Sequence, residues 1–111
     1  MWYFFVMKLK SKPIIKKIAR IVHQNDPDAE IILFGSRARG DERPDSDWDI
    51  LILTTYPVDL QIERKFRNLL YDIELETGEV FSVFVYSKKD WLTRQRKTPF
   101  YWNVISEGIV L

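Results

Sequence analysis

The amino-acid sequence predicts a small α/β domain of the α+β kind, a mixed sheet with helices packed mainly on one face. Three observations predict it. Segments with helical periodicity and short apolar runs follow one another in the order α-β-loop-β-α-β-α-α. One run, Ile50-Leu51-Ile52-Leu53, is continuously apolar, as suits a strand covered on both sides. The chain has 111 residues, of which 46% are hydrophobic, enough for one packed core and a single domain over residues 1–111. No repeat, low-complexity tract or linker interrupts it.

Met1 to Met7 is apolar and aromatic, with Trp2, Tyr3, Phe4, Phe5 and Val6. It is expected to be an edge strand or a tail docked on the core, with a subunit contact as the alternative. It is far too short to cross a bilayer and lacks the basic start and cleavage site of an export signal. The expected location is therefore the cytoplasm, with no membrane partner.

Lys12 to Gln24 is predicted helical. Pro13 suits a first helical position, and Ile14, Ile15, Ile18, Ile21 and Val22 fall on one stripe. Glu30–Phe34 is a short apolar strand, and Asp47–Leu53 is the next. Asp59 caps a long helix with a stripe of Ile62, Phe66, Leu69, Leu70 and Ile73, and Gly78 ends it. Val80–Tyr86 is dense in β-branched and aromatic residues and forms a third strand. Ser87 with Asp90 caps a short helix, Thr98-Pro99 opens a last one, and Gly108 ends it before an apolar tail.

Composition narrows the chemistry. There are no cysteines, so disulfides and thiolate metal sites are excluded. A metal would have to use carboxylates or the single His23, and carboxylate oxygens suit hard ions such as magnesium or manganese. His23, near a helix end, is expected to be a surface or helix-terminal residue. The net charge of +1 gives no global pull toward nucleic acid or anionic membrane, so any basic patch must be local.

The chemistry-bearing segment runs from Gly35 to Asp49. Gly35 follows a strand at once and lets the backbone approach a bulky ligand. Ser36 adds a hydroxyl and an N–H, and backbone N–H groups in such a turn cradle phosphate oxygens. Arg37 and Arg39 add forked cationic donors suited to phosphate, and a helical turn from Arg37 onward would favour an anion at its start. Asp47 and Asp49, two apart at a strand start, leave the same face with Cα atoms about 7 Å apart. Two such carboxylates can hold divalent ions that neutralise phosphate charge and activate an attacking oxygen. Trp48, between them, points the other way and is expected in the core.

Gly35-Ser36, ten residues, then Asp47-Trp48-Asp49 resembles the signature of the DNA polymerase β-like nucleotidyltransferase superfamily. Phe34-Gly-Ser-Arg-Ala-Arg-Gly40 with Ser46-Asp47-x-Asp49 is most similar to the minimal nucleotidyltransferases. These stand-alone prokaryotic domains are often encoded beside a helical HEPN protein as toxin–antitoxin modules. The ending, Thr98-Pro99-Phe100-Tyr101 through Glu107-Gly108-Ile109, is also similar to that group, though less specifically. The resemblance implies the nucleotidyltransferase fold and transfer of a nucleoside monophosphate from a nucleoside triphosphate, usually ATP, to an acceptor hydroxyl. It implies triphosphate on Gly35 and Ser36, Mg2+ or Mn2+ on Asp47 and Asp49, and a helical HEPN-type partner. The acceptor stays open among a protein side chain, a nucleic acid and an antibiotic.

One departure matters. The family's third carboxylate aligns with Ser82, and no acid occurs between Val80 and Ser87. Two readings follow: an active transferase, and a weak or inactive antitoxin-type binding protein that keeps a nucleotide pocket.

Overall fold

The computed structural model describes residues 2–111. The elements are α1 (Trp2–Lys10), α2 (Pro13–Asn25), β1 (Glu30–Phe34), α3 (Ser36–Arg39), β2 (Trp48–Thr54), α4 (Leu60–Thr77), β3 (Phe81–Ser87), α5 (Lys88–Leu92), a 3₁₀ turn (Gln95–Lys97), α6 (Pro99–Glu107) and β4 (Ile109–Val110). The predicted caps do their work. Asp59 accepts from the Ile62 N–H, Ser87 from the Asp90 N–H and Thr98 from the Tyr101 N–H, satisfying donors that helix ends leave free.

The four strands form one mixed sheet in the order β3-β2-β1-β4. β1 runs antiparallel to β2 and β4, and β2 runs parallel to β3. Strand alternation splits the core in two. On one face, Ile31, Leu33, Trp48, Ile50, Ile52, Phe81, Val83 and Val85 pack with buried residues of α1, α2 and α4. On the other, Ile32, Phe34, Leu51 and Leu53 pack with Trp91 of α5 and with Tyr101 and Val104 of α6. β2 is thus covered on both sides at Ile50–Leu53, as its apolar run predicts. Buried Asp26 pins the end of α2 to the end of β2 by accepting from the Thr55 N–H at 2.8 Å, and Lys17 pairs with Glu76 to tie α2 to α4.

The N-terminal segment departs from expectation. Met1 lies outside the described residues, but Trp2 onward is helical rather than an edge strand, and in α1 only Leu9 is buried. Trp2, Tyr3 and Phe4 are 58%, 67% and 74% exposed. The docked alternative holds in part, since Leu9 is in the core and Phe5 and Val6 pack against it, while the edge beside β1 is taken by β4 through its Leu33↔Ile109 pairing. That tail strand is itself an addition to the predicted elements. No helix among the described residues is long and apolar enough to cross a membrane.

Candidate active site at the Gly35 and Asp49 strand ends

The register of the central strands assembles the site. Phe34 pairs with Asp49 across β1 and β2, and Asp49 pairs with Ser82 across β2 and β3. Three strand ends therefore bring Gly35, Asp49 and Ser82 side by side on the face that carries α6. Gly35 has φ +74° and ψ −161°, a region essentially restricted to glycine. A Cβ there would collide with the Asp49 carboxylate. The glycine is needed for both backbone shape and the close approach of the acid.

Asp47 precedes β2 and its carboxylate accepts from the Ser82 hydroxyl at 3.3 Å. Ser82 thus sits on β3 beside Asp49 and bonds Asp47, at the position that the resemblance assigns to an acid. Burial pushes the Asp49 carboxyl up from its ordinary range, and the nearby charges of Asp47 and Glu107 push it further. The Ser82 hydroxyl and Arg39 offset part of that rise.

The two arginines of the loop part company. Arg37 is 9% exposed. Its Nε and Nη2 donate to the Ser46 carbonyl at 3.2 and 2.9 Å, and Nη2 also reaches the Pro44 carbonyl at 3.3 Å. Its guanidinium lies 4.4 Å over the Trp48 ring. The Trp48 indole N–H in turn donates to Glu79 at 3.0 Å. Arg37 therefore braces the loop that leads into Asp47, on the face opposite Asp49. Arg39 is at the open side, donating from Nε to Asp41 at 3.2 Å and from Nη1 to Glu107 at 2.8 Å. Ser36 opens α3, whose Gly40 N–H returns to the Ser36 carbonyl at 2.9 Å. His23 lies away from this site, its Nε2 3.0 Å from the Ala29 carbonyl oxygen.

Sequence reading left Glu107 without a role. It ends α6, 72 residues beyond Gly35, yet its Oε1 accepts from the Gly35 N–H at 3.1 Å. Its similarity, with Gly108 and Ile109, to the end of related chains was the one signal available. An open cleft of about 600 Å³ lies against Arg39 and Glu107, bordered by Trp2, Ala38, Ser106 and Gly108. A second cleft, about 430 Å³, lies between the start of α4 and the end of β3 and shares no residue with the motif.

The profile of the family described as nucleotidyltransferase domain matches residues 15–99. This chain belongs to that family. A Methanocaldococcus jannaschii protein, named as a candidate protein adenylyltransferase, is 38% identical over 82 residues, covering 74% of this chain and 76% of its own. A crystal structure of a toxin–antitoxin with AMP-PNP superposes with a TM-score of 0.60 at 20% identity, over 86% of this chain and 69% of that one. Two structures of variants of the toxin–antitoxin MntA-HpeT superpose over the same shares, with TM-scores of 0.59 and 0.58 at 18% and 21% identity. At those identities the likeness establishes the fold.

This nucleotidyltransferase domain offers a hard-oxygen donor set, two carboxylates and a hydroxyl. Among the described residues no three acids or histidines converge as a ready-made metal cage. That fits an ion of the magnesium type, which takes one or two carboxylates and completes its shell with substrate phosphates and water.

Proposed function

We propose that this nucleotidyltransferase domain moves a nucleoside monophosphate from ATP to a hydroxyl on a partner protein, releasing pyrophosphate. The observation that carries the reading is the seating of the Asp49 carboxylate against Gly35, with Asp47 and Ser82 alongside. The Gly35 and Ser36 backbone and the Arg39 guanidinium supply donors for the phosphates. Arg37 acts at one remove, holding the Pro44–Ser46 stretch so that Asp47 reaches the site. Asp47 and Asp49 would hold Mg2+ or Mn2+, which when bound supplies charge neutralisation at the reacting phosphate. The acceptor hydroxyl gives up its proton to solvent water as its oxygen forms a bond to the α-phosphorus and the bond to the pyrophosphate leaving group breaks. The relative named as a candidate protein adenylyltransferase and the toxin–antitoxin neighbours support a protein acceptor; a helical HEPN-type partner is what the motif's resemblance to minimal nucleotidyltransferases implies.

The test is label transfer from ATP, with magnesium or manganese, to the product of the adjacent gene. Asp47→Asn with Asp49→Asn should abolish it; undiminished transfer by that double variant would overturn the ligand assignment. The second reading, a binding protein with weak catalysis, is favoured by one observation: Ser82 is register-paired with Asp49, and a hydroxyl brings neither charge nor basicity. A positioned base contributes about 10²–10⁴-fold to rate. Ser82→Asp should raise transfer if the wild type lacks that group, and leave it unchanged if another residue supplies it.

A further inference from the structure

Two donors assigned above to the triphosphate already carry an anion. The Gly35 N–H donates to Oε1 of Glu107 at 3.1 Å, and Arg39 Nη1 donates to Oε2 at 2.8 Å. One carboxylate thus spends both oxygens on a backbone N–H and a guanidinium, the pairing a phosphate would use. The contact follows from the fold. Gly35 is the residue after β1, and Glu107 stands two residues before Ile109, which pairs with Leu33 of β1. Tyr101 and Val104 anchor the rest of α6 in the core. Glu107 is also sheltered, its side chain 14% exposed against 47% for Arg39.

A glutamate held there lies near enough to Asp49 for the two like charges to repel. A neutral acceptor would satisfy the Gly35 N–H as well, so the negative charge goes beyond what that contact needs.

We propose that Glu107 is a resident anion of the phosphate subsite, holding Gly35 and Arg39 in their binding arrangement until a triphosphate displaces it. This rests on the nucleotide reading above. The displaced carboxylate stays tethered beside the triphosphate and repels it. Bare ATP is therefore poorly admitted, whereas ATP neutralised by a divalent ion is accepted. Glu107 makes the site selective for the metal-complexed nucleotide in addition to the direct effect of Asp47 and Asp49.

Titration calorimetry with ATP, with and without magnesium, on the wild type and Glu107→Gln tests this. The glutamine keeps the acceptor for Gly35 and loses the charge. It should bind metal-free ATP about tenfold or more tighter than the wild type, with a gain of no more than about threefold when magnesium is present. Equal or weaker binding of metal-free ATP by Glu107→Gln, with the wild type still binding the magnesium complex, would overturn this inference and leave the nucleotide reading standing. Failure of the wild type to bind the complex at all would overturn both. A second measurement needs no variant. Saturating the wild type with magnesium and ATP should shift the Gly35 amide and Glu107 side-chain carboxyl NMR signals together. A Glu107 signal that stays still while the Gly35 amide moves would also overturn it.

Discussion

Trp48 and Asp49 are neighbours in the chain and opposites in the fold. Trp48 lies on the face covered by α1, α2 and α4, 2% exposed, sandwiched with Arg37 and hydrogen-bonded to Glu79. Asp49 lies on the face that α6 only partly covers, against Gly35 and in register with Ser82. One side is packed: its buried polar side-chain atoms have partners. The other gathers three carboxylates with one exposed guanidinium and a hydroxyl. The comparison teaches how a small domain bears an electrostatically unfavourable site. The packed face supplies the energy that lets the open face hold like charges close together.

The largest expected effect is on the packed side. Trp48→Ala should cost about 3–5 kcal/mol, the usual loss for a buried tryptophan, read as a lowered urea midpoint. A loss under about 1 kcal/mol would mean that the packed face is not the source of stability. Gly35→Ala comes next, with a cost of about 1–3 kcal/mol from a glycine-only backbone region and further displacement of Asp49. Stability unchanged in that variant would show that the turn relaxes freely and that the Gly35–Asp49 contact is not enforced.

The arginines sharpen the contrast. Arg37→Met should lose about 1–3 kcal/mol, because the Ser46 and Pro44 carbonyls lose their donor, with ATP affinity reduced only through the loop. Arg39→Met should stay within about 0.5 kcal/mol of the wild type in stability and weaken ATP binding. The reverse pattern, measured by thermal unfolding and calorimetry, would exchange the roles given to them.

The smallest effect is a gain. Burial and the charges of Asp47 and Glu107 raise the Asp49 carboxyl in the folded protein above its ordinary value of 3.8. The folded state therefore binds this proton more readily than the unfolded chain. Its stabilising contribution is full below pH 3.8 and is lost as pH rises through the higher folded value. Asp49→Asn should accordingly be more stable than the wild type at pH 7 without metal, and the difference should vanish in acid. Adding magnesium should stabilise the wild type and leave the variant unmoved. A variant less stable than the wild type at pH 7 would contradict an electrostatically strained site.

Much of this was legible in the chain itself. The strands Glu30–Phe34 and those around Ile50–Leu53 and Phe81–Tyr86 declare themselves by apolar runs. The caps Asp59, Ser87 and Thr98 declare themselves by position. The Gly35-Ser36 and Asp47-x-Asp49 spacing marks the site and the family. These are local or periodic properties, set by residues a few positions apart, so no knowledge of the fold is needed to read them. Tertiary structure alone decided the rest. It made the segment from Trp2 a helix that docks through Phe5, Val6 and Leu9 and leaves Trp2, Tyr3 and Phe4 exposed. It turned Arg37 inward and Arg39 outward, though both are equally basic in the sequence. It carried Glu107 across 72 positions to the Gly35 N–H. Each depends on which distant element arrives at a given place, and that is fixed by the packing of the whole sheet rather than by any neighbouring residue.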